Sequence, residues 1–420
     1  MRWRLVVTRS SHSRSHTTLV PKLQLGNQNN TFTTERADMI IILQILFWLS
    51  VLGLGYIFAG YPLVVWWKSR TNWMTLVKQN VERPLSIVIV AHNEALTLPR
   101  KLCSLLASTR ADWIREILIG LDGSTDDTAA VLAAFPDARV KCFNFSERRG
   151  KPAVLNELIP QCQSEFVLLA DARQEFAPDC IERLLENFTD PTVGVVSGEL
   201  VLQATADATT AAQGIGFYWK YEKFIRRCES QWRGVPGATG ACYAMRKSLF
   251  QPIPSQTILD DVAIPMQAVT RGYRCLFEPT AQVFDTPSKS SRQESIRKRR
   301  TIAGAAQLVQ LFPAWLSPSR NPLWFEYVSH KLLRLLAPAL MVLALVTNLV
   351  LMDGPAYWVL LNVQVVFYVS AAVGWLFQQH GRRSSLFGPS LMFVTLNLTT
   401  TLALWDAFRA NYRVTWQKTT

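Results

Sequence analysis

The sequence predicts an α/β domain held between apolar helices. Two observations carry that reading. Strand-like apolar runs alternate with helix-periodic stretches from Leu85 to Glu278, and four uncharged stretches of bilayer-crossing length flank that region. Composition agrees. Of 420 residues, 49% are hydrophobic and only 18% are charged, which excludes a disordered chain. Lys and Arg number 44 against 31 Asp and Glu, a net charge of +13. Such an excess suits nucleic acid or an anionic membrane surface. The basic residues cluster near the apolar stretches and no nucleic-acid motif occurs, so membrane lipids are the expected partner and nucleic acid is not. Seven scattered cysteines without a CxxC pair exclude a zinc ribbon or a dense disulfide framework.

Residues 1–38 are polar and basic without any period, and a disordered leader is expected there. Translation starting at Met39 would make that leader dispensable. Residues 39–67 contain no charge and form the first expected transmembrane helix, with Tyr61, Trp66 and Trp67 as interfacial anchors. Three further spans are expected within residues 335–405: Leu335–Met352, Ala356–Gln379 and Ser384–Trp405. The last is rich in Ser and Thr and holds Pro389, so an interfacial or re-entrant helix competes with a full span. Residues 406–420 are a tail. Residues 311–334 form an interfacial segment, with Trp315, Trp324, Phe325 and Tyr327 in an aromatic belt. Lys68, Arg70 and Lys78 follow the first span and Arg334 precedes the second. The positive-inside rule therefore puts the central domain in the cytoplasm of an integral protein of the plasma or inner membrane.

Within that domain, strands are expected at Leu85–Val90, Ile114–Leu121, Val140–Asn144, Phe166–Ala170, Val193–Leu202 and Cys275–Glu278. Leu98, Leu102, Leu105 and Leu106 recur at helical spacing, and Thr125-Asp126-Asp127-Thr128 reads as a helix start. Alternation of this kind builds a mostly parallel sheet with helices on both faces, whose ligands sit at the carboxyl ends of the strands. Glu94, Asp122 and Asp171 each fall just past a strand and so face one crevice.

The segments LSIVIVAHNE, LDGSTDDT, RRGKPAVLN, LLADARQ, GATGACYAMRK, LDDVAIPMQAVTRGYR and RKRRTIAG occur in an order that resembles membrane-bound glycosyltransferase family 2. The resemblance covers residues 83–310. It implies a GT-A nucleotide-diphospho-sugar transferase domain with flanking transmembrane helices. The implied activity is inverting, metal-dependent transfer from a nucleotide sugar, UDP-linked by expectation, to a glycan or lipid acceptor.

Such a reaction needs charge neutralisation on the leaving diphosphate, a base for the acceptor hydroxyl, and a nucleoside site. The resemblance assigns Asp122 and Glu94 to the nucleoside, with His92 lining the same loop. It assigns Asp171 to a Mg2+ or Mn2+ ion, for which oxygen ligands are suited. The usual second carboxylate is absent, because the chain reads Asp171-Ala172-Arg173, and Arg173 becomes a possible phosphate counter-charge. Lys151, at an expected helix start, is the phosphate-binding cation. Asp261 of the pair Asp260-Asp261 is the general base, and Asp260 lies beside the acceptor or diphosphate.

Arg297 and Arg300 take the places of the family's Gln-x-x-Arg, but Thr301 stands where processive members carry Trp. Arg300 keeps the cation for diphosphate, whereas the missing ring weakens the case for long-chain synthesis. The bland alternative for Lys298 and Arg299 is contact with lipid headgroups. Residues 237–241, Gly-Ala-Thr-Gly-Ala, are expected to form a tight strand near the acceptor. His330 reads as structural. A membrane scaffold without activity is the competing class.

Overall fold

In a computed structural model, residues 26–203, 210–286, 291–380, 384 and 386–409 are described. The expected leader therefore lies mostly outside the described residues, but helix is already present from Gly26, upstream of the apolar run.

Among the described residues, eight strands form the central sheet: β1 (Leu85–Ala91), β2 (Ile114–Asp122), β3 (Val140–Phe145), β4 (Phe166–Asp171), β5 (Glu175–Phe176), β6 (Val193–Leu202), β7 (Tyr243–Arg246) and β8 (Arg274–Asp285). Their spatial order is β3-β2-β1-β4-β7-β6-β8-β5. The first four are mutually parallel and β6 is parallel to β8. β7 is wedged antiparallel between β4 and β6, and β5 runs antiparallel to β8. The sheet is thus mixed. The expected strand over residues 237–241 is instead a turn, with Gly237 at φ +120°, and the strand begins at Tyr243. Its small residues serve a close-approach turn, and the apolar Tyr-Ala-Met run after it supplies the ladder.

Helices α1 (Gly26–Gly55), α2 (Tyr61–Thr71), α3 (Leu98–Leu106), α4 (Thr128–Ala133), α5 (Lys151–Leu158), α6 (Cys180–Leu185), α7 (Thr210–Trp232), α8 (Asp260–Thr270), α9 (Ser291–Leu311), α10 (Trp324–Glu326), α11 (Leu333–Val350), α12 (Pro355–Gln379) and α13 (Gly388–Phe408) complete the described helices. Side chains alternate across each strand, so two cores form. Ile87 and Ile89 meet Leu98, Leu102 and Leu105 of α3 on one face, with Ile181 and Leu184 of α6. Val88 and Leu118 meet Val154 and Leu158 of α5 and Ala263 of α8 on the other. Burying each such aliphatic side chain contributes about 1.5–3 kcal/mol. At Gly120 a Cβ would stand 2.3 Å from Val154 Cγ1, so α5 seats this closely on β2 only because the strand residue is glycine.

Among the described residues, four helices are long and apolar enough to cross a membrane: Glu35–Thr71, Trp324–Val350, Pro355–Gln379 and Gly388–Phe408. The second begins well before Leu335. Two of them contain a π-helical segment, Tyr56–Gly60 and Tyr327–Leu332. Trp315 and Tyr327 do not join a lipid-facing belt. Both are buried; Trp315 stacks on Phe312 at 4.3 Å and meets Tyr327 edge-on. Arg299 does not reach for headgroups either, because its guanidinium grips both carboxylate oxygens of Asp406 at the end of α13.

Candidate active site

The carboxyl ends of β2, β1 and β4 lie side by side, which sets Asp122 and Asp171 on either side of the loop that follows β1. That loop is laced to its neighbour. The Asn93 side-chain oxygen accepts from the amides of Thr125 at 2.8 Å and Asp126 at 3.3 Å, and the Asn93 amide donates to Ser124 Oγ. Asn93 takes φ +57°, a left-handed conformation that Asn tolerates better than most residues. His92 Nδ1 lies 2.8 Å from the Asp122 carbonyl, so this nitrogen carries the proton and donates. Glu94 accepts from Thr97 Oγ1, and its amide donates to Thr128 Oγ1.

Asp122 is buried, and its carboxylate accepts from the amides of Arg149 at 2.6 Å and Gly150 at 3.0 Å. It therefore fixes the turn that delivers the next residue, Lys151, to the start of α5. Gly123 at φ +62° lets the two loops touch: a Cβ there would meet Arg148 N at 2.9 Å.

Lys151 Nζ bridges two carboxylates, Asp171 Oδ1 at 2.8 Å and Asp260 Oδ2 at 3.0 Å. Burial pulls its pKa down, but Asp171, Asp260 and Asp261 outweigh burial and leave it raised. Gly240 completes the centre. A Cβ on it would stand 3.3 Å from Asp261 Oδ2 and 3.6 Å from Asp171 Oδ2, so glycine keeps the space between those oxygens open. Its amide donates to Asp261 Oδ2 at 3.2 Å. Burial, and next the charge of Asp260, raise the Asp261 carboxyl to about 6, with Lys151 opposing. Lys151, Asp171, Asp260 and Asp261 thus meet at one point. Asp122 reaches that point indirectly, by holding the amide of Gly150, the residue before Lys151.

Residues 86–253 match the family model "Glycosyl transferase family 2". The central domain is a family 2 glycosyltransferase domain.

Among curated relatives similar to this chain is the Poly-beta-1,6-N-acetyl-D-glucosamine synthase of Staphylococcus aureus (strain COL), 26% identical over 246 residues. These are 57% of this chain and 59% of that protein. The Staphylococcus epidermidis protein of the same name is 28% identical over 218 residues, 50% of this chain and 52% of its own. The match thus spans less than two thirds of these relatives' length. In structure, the mannosyltransferase PcManGT from Pyrobaculum calidifontis, solved in complex with GDP-Man and Mn2+, is similar at TM-score 0.66 and 19% identity. The likeness covers 87% of this chain and 100% of that one, and is one of fold.

The remaining expected residues of the glycosyltransferase domain separate into two groups. Arg173 does not point into the acidic centre as a free cation; its guanidinium donates to the buried Asp285 at 2.6 Å, and Gln174 donates to the same carboxylate. Arg297 is exposed and Arg300 half-buried on α9. This helix serves the site by packing. A Cβ on Gly304 would stand 2.7 Å from Leu259 Cγ, and Gln307 bonds the backbone of Gln256 and Ile258. So α9 clamps the segment that leads into Asp260-Asp261.

Three contributors carried little or no signal in the sequence. Asn93 had one, an Asn directly after a strand. Buried Lys101, which donates to the Gln174 carbonyl at 2.9 Å and lies over the Phe176 ring, had none. Burial lowers the Lys101 pKa to about 8. Arg226, described below, looked like any charge on an amphipathic helix.

Proposed function

We propose that the protein transfers a sugar from a nucleotide sugar, UDP-linked, to a glycan or lipid acceptor at the membrane surface, with inversion. The observation that carries the reading is the meeting of Lys151, Asp171, Asp260 and Asp261 around the opening kept by Gly240. The nucleoside lies against the loops joined by Asn93, with His92, Glu94 and Asp122 at its edge. Lys151 faces the diphosphate. Asp261, half-buried and with its carboxyl near 6, takes the acceptor proton at neutral pH as the hydroxyl attacks the anomeric carbon. The Gly240 amide orients that carboxylate.

Among the described residues no group of three or more His, Cys, Asp or Glu is arranged to hold a metal ion alone. Asp171 fits a site of the kind in which one carboxylate and substrate phosphates share a Mg2+ or Mn2+ ion. Its Oδ2 faces the opening while Oδ1 is held by Lys151. Such an ion would neutralise charge on the departing diphosphate. Arg173 stands where the second carboxylate would be and is tied to Asp285.

The curated relatives are named as synthases of an N-acetylglucosamine polymer, and that sugar is the first donor to test. Thr301 in place of an aromatic residue favours limited transfer over long-chain synthesis. The apolar helices support a reaction at a bilayer, and Lys68, Arg70 and Arg334 support, by the positive-inside rule, a domain on its cytoplasmic side. Purified full-length protein is to be given a panel of nucleotide sugars with Mg2+, Mn2+ or chelator, scored for nucleoside diphosphate release and product size. Release from one donor supports the reading. Failure of every donor under every ion refutes it.

A further inference from the structure

Helix α7 carries Glu222, Arg226 and Glu229 at i, i+4 and i+7, the spacing of one helical face. Arg226 reaches toward the catalytic domain. It donates to Thr239 Oγ1 at 2.6 Å and to Ser197 Oγ at 2.9 Å, with its guanidinium over the Phe277 ring at 4.5 Å. The Thr239 amide donates to the same Ser197 hydroxyl at 2.9 Å. Thr239 immediately precedes Gly240, whose amide holds Asp261.

The two acids of that face reach the other way, into the membrane helices. His330, fully buried in the π-helical segment of the second span, sits between them. Its Nδ1 lies 2.7 Å from Glu229 Oε1 and its Nε2 lies 2.9 Å from Glu222 Oε1. Tyr61 of α2 donates to Glu229, and Arg334 donates to Glu222 at 2.7 Å. Tyr56, in the π-helical segment of the first span, shares a hydrogen bond with Ser329 at 2.8 Å. Irregular helix turns of this kind persist where tertiary contacts hold them.

From these contacts we infer that Arg226 is a positioning residue for transfer, tying the Thr239–Gly240 turn that seats Asp261 to a Glu222–His330–Glu229 clamp on the membrane helices. The chemistry supports the arrangement. A planar guanidinium presents its donors in a rigid fork and so fixes two hydroxyls in one set geometry, whereas an ammonium's donors rotate. Breaking the tie leaves the donor side, Lys151 and Asp171, untouched. It loosens the acceptor side, where a misplacement of about 1 Å costs about 100-fold in rate.

The inference rests on the reading of Asp261 as base, and the experiment separates the two. Full-length protein in nanodiscs is assayed for nucleoside diphosphate release from the donor that the panel above identifies. Donor KM, kcat and apparent Tm are measured together. Arg226→Met is expected to lower kcat about 10- to 100-fold with donor KM and UDP affinity within twofold of wild type. Arg226→Lys, which keeps the charge but not the rigid fork, is expected to recover part of that loss. In an Asp261→Asn background Arg226→Met is expected to cost nothing further, because residues that act through one group are not additive. His330→Gln is expected to reproduce the kcat loss and to add nothing to Arg226→Met.

Unchanged kcat in Arg226→Met overturns the positioning role. So does a loss that follows donor KM and Tm, since that marks mere destabilisation. Unchanged kcat in His330→Gln overturns the tie to the membrane. Full turnover in Asp261→Asn overturns the base itself, whatever Arg226 does.

Discussion

Replacing Asp261 by Asn is expected to stop transfer and to make the protein more stable. The carboxyl is raised from 3.8 to about 6 by burial and by Asp260. A raised acid means that the folded state holds its proton more tightly than the unfolded chain does. Between about pH 4 and pH 6 the folded state therefore binds more protons, and stability falls as pH rises through that window. Above pH 6 the ionised carboxylate costs the fold about 3 kcal/mol, at about 1.4 kcal/mol for each pKa unit. Asn is neutral at every pH, and its side-chain oxygen still accepts from the Gly240 amide. The gain of Asp261→Asn should therefore be absent at pH 4, open toward pH 6 and stay full above it. The coupling to Asp260 reduces what is realised, so a gain of about 1–3 kcal/mol is expected at pH 7.5. Apparent Tm in detergent at several pH values measures the gain, and nucleoside diphosphate release measures the loss, at least about 100-fold for removal of a general base. A variant that keeps turnover refutes the base. A variant less stable than wild type at pH 7.5 refutes the electrostatic argument for why the base is poised where it is.

Three further outcomes are expected. Wild-type kcat/KM should fall about tenfold per unit as pH drops below about 6, because the base is then protonated; a profile flat to pH 5 contradicts this. Gly240→Ala should leave stability within about 1 kcal/mol of wild type yet lower transfer about 10- to 100-fold, since the methyl fills the space beside Asp171 and Asp261 without striking backbone. Lys151→Met should destabilise by about 3 kcal/mol at pH 8, because Asp171 and Asp260 lose their shared cation. An unfolding midpoint in denaturant equal to that of wild type would mean that these ion pairs contribute little to the fold.

Much of the site was legible because its parts end strands. Asp122 and Asp171 close β2 and β4, and apolar runs bounded by polar turns reveal such ends in one dimension. Lys151 at the start of α5 and the Asp260-Asp261 pair at the start of α8 were legible for the same reason: helix starts have recognisable residues. What the chain does with those groups was less visible. The resemblance assigns Asp122 to the nucleoside, yet its carboxylate also holds two backbone amides, and Arg173 reads as a phosphate cation but is held by Asp285, far along the sequence. Partners of charged side chains are set by long-range approach, which local pattern does not encode.

The sequence by itself determined the α/β domain, six of the eight described strands, the four apolar helices and the acidic and basic residues around the strand ends. These follow from periodicity and from the residues that start and stop elements. Only the tertiary structure decided that β7 enters antiparallel between β4 and β6, and that residues 237–241 form a turn with Gly240 between two carboxylates. It alone joined Arg226 and His330 to that turn, and moved Trp315 and Arg299 from the expected membrane surface into contacts with Phe312 and Asp406. The reason is physical. Which face of a helix is covered, and by what, depends on neighbours distant in sequence, and a charged or aromatic residue takes whichever partner the packing brings within reach.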